Sequence, residues 1–239
     1  MAIDPILLPS SITIEPINDA SRATLTVEPC FQGYGTTIGN ALRRVLLSSL
    51  PGAAITAFKV EGATHEFTTI ENVLEDVVEI SLNLKQVRAR LHTDQPVRLK
   101  LSKSGEGPVT AGDFEANADV EIVNPDQHIA TITDAKGSFG IEAIIEPGRG
   151  FLPTEEREKE ESEMGLIKLD ALFSPVKNVS FKVEPVRIGN ITNFDKLMME
   201  IETDGSISPK EAVAQSVRVL MDYFALLQGD ASRDTESSS

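Results

Sequence analysis

From Arg22 to Glu28 the chain reads RATLTVE, with polar and apolar side chains in strict turn, and this two-residue period returns along most of its length. It recurs over Pro96–Ser102, Asp119–Val123, His128–Thr133, Ser138–Ile145, Val179–Val186 and Leu197–Thr203, and ITAFKVEG (55–62) is a further candidate strand. Alternation puts apolar groups on one face of a strand and polar groups on the other, which predicts half-exposed, mostly antiparallel sheet. Three stretches carry a helical period instead: about 37–50, about 70–82 and about 209–228. Thr36 and Thr37 are expected to cap the first helix, and Thr68 with Glu71 has capping-box spacing for the second. Ser208, Pro209 and Glu211 signal the start of the third.

The expected fold is therefore α+β, with two long helices on an antiparallel sheet. Because those helices lie at opposite ends of the sequence, residues 1–51 and 177–229 are expected to form one discontinuous subdomain. Residues 52–176 would be an inserted strand-rich α+β subdomain, and 230–239 reads as a linker or disordered tail.

On a wheel at about 100° per residue, Ile38, Ala41, Leu42, Val45, Leu46 and Ser49 of the first helix form one stripe. Asn40, Arg43, Arg44 and Leu47 fall on the opposite side. Two arginines around a leucine have the composition of a protein-binding hot spot, and equally that of two solvated cations beside one exposed apolar residue. In the last helix Val213, Val217, Leu220, Phe224 and Leu227 make one stripe, and Ala212, Val219, Tyr223 and Leu226 make a second. A helix resting on one sheet needs one stripe; two suggest cover by its own domain and by another chain, or burial in a large core.

The first helix opens on GYGTTIGN, where Gly33, Gly35 and Gly39 are spaced as a relative of the dinucleotide fingerprint, with Glu61 after a candidate strand. Against a βαβ unit, RATLTVE alternates where such a strand would be continuously apolar, and Glu28 to Gln32 separate it from the first glycine. Nor does the remaining chain alternate strand with helix. The other reading is that the glycines permit unusual backbone angles at a turn. An NAD(P)-binding oxidoreductase thus stands as an alternative, as does a homodimeric adaptor.

The 239 residues carry 22 basic and 37 acidic side chains, a formal charge of −15, and such a surface repels a phosphate backbone, so direct DNA contact is not expected. The lone cysteine, Cys30, excludes an internal disulfide and fits a reducing cytoplasm. No apolar run approaches the roughly 20 residues of a membrane span. PTEEREKEESEMG (153–165) reads as a solvated, mobile acidic loop. His65, His92 and His128 are scattered, and no nucleophile elbow, phosphate loop or metal motif is present, so neither catalytic residues nor a metal or cofactor is expected.

The stretch GYGTTIGNALRRVLLSSLPGAAIT closely resembles the signature of the alpha subunit of bacterial-type DNA-directed RNA polymerase. HEFTTIENVLEDVVEISLNLK, KSGEGPVTAGD, NPDQHIATI, EPGRGFLP, SPVKNVSFKVE and FDKLMMEIETDGSISPKEA extend the resemblance in family order over nearly the whole chain. The resemblance implies an amino-terminal alpha domain: a non-catalytic, cytoplasmic scaffold that homodimerises and then recruits the beta and beta-prime subunits. It implies beta contact by Arg44 and Leu47, with Arg43 adjacent, and beta-prime contact by Glu79 and Lys85. It places Ile38, Leu42, Leu46, Val217, Leu220, Phe224 and Leu227 in the dimer interface. The turn carrying Asn190, Ile191, Thr192 and Asn193 departs from the family's Gln-Arg-Thr-Asp, so no charged contact is carried over there. The carboxy-terminal DNA-binding domain of full-length family members has no counterpart in these residues.

Overall fold

Every strand pair among the described residues is antiparallel, as alternation predicts. The computed structural model describes residues 6–17, 19–63, 65–157, 163–188 and 191–236, without the side chains of 188, 191–193 and 230–236. In chain order the elements begin with β1 (Ser11–Ile17), β2 (Asp19–Phe31), α1 (Tyr34–Ser48), β3 (Pro51–Val60), α2 (Val77–Leu84), β4 (Ala89–Leu91) and β5 (Val97–Ser104). Then follow β6 (Gly107–Thr110), β7 (Val120–Ile122), β8 (His128–Ile132), β9 (Ser138–Arg149), β10 (Phe151–Leu152), β11 (Ile167–Lys168) and β12 (Ala171–Leu172). The last are β13 (Val176–Ile188), β14 (Ile191–Thr203) and α3 (Pro209–Glu236). The chain divides into two compact units, one of Met1–Leu50 with Pro175–Ser239 and one of Pro51–Ser174.

In the first unit the sheet order is β1-β2-β14-β13, and α1 and α3 pack on one face of it. Register explains which face. Leu25 pairs with Met199 and Val27 with Leu197, so the apolar positions of both strands point together into a core completed by Leu42, Leu46, Leu50, Ala212 and Val213. Arg22, Thr24 and Thr26 alternate with them and point away, and Arg22 pairs with Glu202 at 2.9 Å.

The second unit is built on the sheet β11-β3-β9-β5. Phe58, Phe139, Ile141 and Ile145 from its strands meet Val77, Ile80 and Leu84 of α2 in one apolar cluster. Gly148 lies against the Phe173 ring, where an added Cβ would come within 2.6 Å, so the strand cannot carry a side chain there.

Several local expectations are corrected. Thr68 and Glu71 do not cap α2, which starts at Val77 with the Asp76 side chain accepting from Glu79 N at 2.7 Å. The stretch before it is irregular, with Asn72 in the left-handed region (φ 61°) and a bridge from Val73 to Ile132. Asp76 and Glu79 repeat the same cap spacing eight residues on, and that copy directly precedes the apolar face. Thr36 and Thr37 lie inside α1, which begins at Tyr34. The stretch read as a tail is helical as far as Glu236, because its lack of apolar period removes packing but leaves the backbone hydrogen-bond ladder free to continue. The acidic segment is not simply solvated: Thr154–Arg157 form a 3₁₀ turn, and Arg157 is only 9% exposed, donating to the Thr56 carbonyl and facing Glu146 at 3.4 Å. Residues 158–162 of that segment, and Asn190 of the departing turn, lie outside the described residues.

Candidate protein-binding faces

Gly33 adopts φ 84° and its N–H is satisfied by the Asp195 carboxylate of β14 at 2.8 Å. The same turn is closed by the Thr37 hydroxyl, which donates to the Gly33 carbonyl at 3.2 Å. A turn whose N–H already holds a carboxylate does not offer an anion-binding cradle. Gly35 and Gly39 are buried for a different reason: a Cβ on Gly39 would come within 2.7 Å of the Phe181 ring, and one on Gly35 within 3.0 Å of Val183 and Asp195. The glycines therefore let α1 lie close on β13 and β14. With β2 in an antiparallel sheet, the loop has none of the βαβ context that dinucleotide binding requires.

That close seating orients α1. Its inner stripe is consumed within the unit, with Leu42 and Leu46 5% and 0% exposed and Ile38 half-buried against the same core. A second chain would not meet Leu42 or Leu46 directly. Arg43 and Arg44 are exposed on the outer face, and neither makes an ion pair among the described residues. Leu47 is half-buried beside them, its inner side against the core.

α3 changes character along its length. Its start is fixed by a reciprocal box in which Glu211 N donates to Ser208 Oγ at 3.2 Å and Ser208 N donates to Glu211 Oε2 at 2.9 Å. Ala212, Val213 and Ser216 are then buried on the sheet, and Leu220 is half-buried. Beyond them Met221, Tyr223, Phe224, Leu226 and Leu227 are all more than 60% exposed, and Val217 is 39% exposed. So dense an apolar surface on a single chain marks an unfilled contact.

In the second unit, Glu79 lies exposed on α2 and Lys85 caps its end. Lys85 is not a free cation, since its ammonium donates to Asp170 Oδ2 at 2.9 Å. Asp170 also accepts from Thr154 N at 3.0 Å, and the Lys85 ammonium followed by the Thr154 amide holds its carboxyl below the ordinary range. The described residues contain no His, Cys, Asp and Glu grouping able to hold a metal, and no helix among them is long and apolar enough to cross a membrane. Cys30 is buried, and burial pushes its thiol up, away from reactivity.

Comparison with known proteins decides the family. Residues 57–174 match the family described as RNA polymerase Rpb3/RpoA insert domain. The DNA-directed RNA polymerase subunit alpha of Oceanobacillus iheyensis is 43% identical over 221 residues, covering 92% of this chain and 70% of that protein. Its counterpart in Symbiobacterium thermophilum is 46% identical over 218 residues (91% and 69%), and that of Nitratidesulfovibrio vulgaris 49% over 211 (88% and 60%). The chain belongs to the DNA-directed RNA polymerase alpha subunit family. It spans 60 to 70% of the length of these relatives.

Against this alpha-family background, some candidate residues escape sequence reasoning. Asp195, which fixes the turn before α1, lies 162 residues from Gly33 and carries no local signal. Phe31, Tyr34 and Phe194 form edge-to-face pairs at 6.2 and 6.5 Å beside that turn, and Phe31 and Tyr34 are 43% and 45% exposed. Met221 belongs to neither periodic stripe of α3 and is exposed with both.

Proposed function

We propose that this chain is a non-catalytic assembly scaffold of DNA-directed RNA polymerase, which homodimerises and binds the beta and beta-prime subunits to nucleate the core enzyme. The observation carrying this reading is the two turns of α3 from Met221 to Leu227, where five large apolar side chains stand in water around the helix. Residues 1–51 with 177–229 act as the dimerisation subdomain, with Val217, Leu220, Phe224 and Leu227 at the interface, joined by Met221, Tyr223 and Leu226. Ile38 borders it, while Leu42 and Leu46 support it from within.

Once two chains are paired, the outer face of α1 remains available. Arg43 and Arg44 are cations without carboxylate partners among the described residues of an acidic chain, and Leu47 gives them an apolar centre. That is the anchor composition of a protein interface, and it supports beta binding. Glu79 and the Lys85–Asp170 pair form the beta-prime contact on the inserted subdomain. The formal charge of −15 argues against DNA contact by these residues, and the assembly works in the cytoplasm.

Gel filtration of the chain mixed with purified beta tests the reading. An Arg44→Ala, Leu47→Ala variant stays dimeric and loses roughly 2 kcal/mol of beta affinity per residue, about thirtyfold each. A dimeric variant that binds beta as tightly as the parent refutes the assignment of this face.

A further inference from the structure

The inward side of α2 is complete without help: Val77, Ile80 and Leu84 are fully buried in the core of their unit. Yet Leu74, Val78 and Leu82 are 71%, 36% and 54% exposed on the other side. Leu74 and Leu82, with Glu75, Glu79, Asn83 and Gln86, line a shallow groove of about 670 Å³.

The groove is held open by fixed supports. Glu75 accepts from Thr131 N at 2.6 Å, the Thr131 hydroxyl at 3.0 Å and His128 Nε2 at 2.7 Å, which ties the start of the groove to β8. Leu74 N donates to the Thr131 carbonyl at 3.0 Å beside it. At the other end Asn83 Nδ2 donates to the Ile129 carbonyl at 3.0 Å. These bonds fix the backbone on either side of Leu74 and Leu82, and the inward positions beside them are already taken by Val77, Ile80 and Leu84.

The rim is acidic. Glu79 stands exposed in the middle of the groove, and Glu71 is exposed just before it. Lys85, at the far end, is already neutralised by Asp170. We propose that this groove docks an apolar helix edged with lysine or arginine, contributed by the beta-prime subunit. This rests on the reading above that Glu79 faces beta-prime. Eight residues of α2 span about 12 Å, which suits an incoming helix of two to three turns with apolar anchors at i, i+3 or i+4, and i+7. Lysine or arginine flanks complement the carboxylates, whereas an acidic or neutral flank leaves them desolvated against nothing.

The test uses the full chain with purified beta and beta-prime. A Leu74→Ser, Leu82→Ser variant captures beta as the parent does and captures beta-prime at least tenfold less well. Leu74→Ser alone, placed outside α2, gives part of that loss with an unchanged melting curve. A synthetic amphipathic Leu/Lys peptide binds the parent saturably, its affinity falls with salt and in the double variant, and a Leu/Glu peptide of the same pattern does not bind. Glu79→Lys reverses that preference. Undiminished beta-prime capture by the double variant, or peptide binding that ignores both leucines, overturns the groove. If Glu79→Ala with Lys85→Ala still loses beta-prime in that case, the underlying contact stands and only the groove falls. If neither variant loses it, both fall.

Discussion

Replacing Phe224 with alanine on α3 separates the proposed dimer contact from the fold. Phe224 is 62% exposed in the single chain, so truncating it removes little from the chain's own core. A phenylalanine side chain buries about 200 Å² when fully covered, and its exposed share at about 25 cal/mol/Å² corresponds to roughly 3 kcal/mol per protomer. In a twofold-symmetric dimer the loss occurs twice, but incomplete burial and ordering of the contact offset part of it. A net loss of about 3 kcal/mol per dimer remains, a weakening of more than a hundredfold. Sedimentation equilibrium over a concentration series measures it directly, with far-UV circular dichroism confirming that the chain remains folded. Leu227→Ala, at 67% exposure, acts in the same direction with a smaller magnitude. A Phe224→Ala chain that dimerises like the parent, or a parent that is a folded monomer at high micromolar concentration, refutes the reasoning.

Ser216 is fully buried and its hydroxyl has no hydrogen-bond partner among the described residues, so Ser216→Ala raises stability by about 1 kcal/mol, seen as a higher urea midpoint at fixed protein concentration. Gly39→Ala lowers it by about 1–3 kcal/mol, because the Cβ's collision with Phe181 outweighs the roughly 1 kcal/mol gain in helix propensity; an unchanged midpoint would show that the ring yields freely. Burial pushes the Glu75 carboxyl up, but the bonds from His128 and Thr131 outweigh burial and hold it below the ordinary glutamate value of about 4.3. Its stabilising contribution is thus present above that value and is lost as pH falls through the lowered one. Glu75→Gln is accordingly less stable at neutral pH and flattens the acid limb of the stability curve, and an identical acid limb would remove Glu75 from the account.

The antiparallel character was legible because alternation survives wherever one face of a strand is wet. β2, β9 and β14 are of this kind, and their apolar positions mark the core face directly. β7 and β8 were read from alternation, but their partners β4 and β6, and the pair β10 with β12, were not, since runs of two to four residues carry too few periods to rise above composition. α2 was drawn too long for a related reason. Both Thr68 and Asp76 offer a cap, and the earlier one is excluded by the bridges from Thr69 to Asp76 and from Val73 to Ile132 and by the left-handed Asn72. Arg157 was unreadable in principle, because a cation among glutamates looks solvated until the fold brings Glu146 and the Thr56 carbonyl to it.

The binding faces divide along the same physical line. A helical period reports that a stripe is covered and says nothing of what covers it. For α1 the stripe of Ile38, Leu42 and Leu46 meets the chain's own sheet, and the glycines at 35 and 39 are what bring it close enough to do so. For α3 a continuous pattern conceals a change of environment near Val217, where the buried Ala212, Val213 and Ser216 give way to exposed apolar side chains. Past Leu220 the period persists with nothing among the described residues to cover it. Apolar repetition outlasting the available core is therefore the sequence signal of association, and it becomes readable only when the extent of that core is known. The outer face of α1 gives the complementary case: Arg43 and Arg44 break no pattern and fill no core, so their meaning depends on what an acidic chain leaves unpaired.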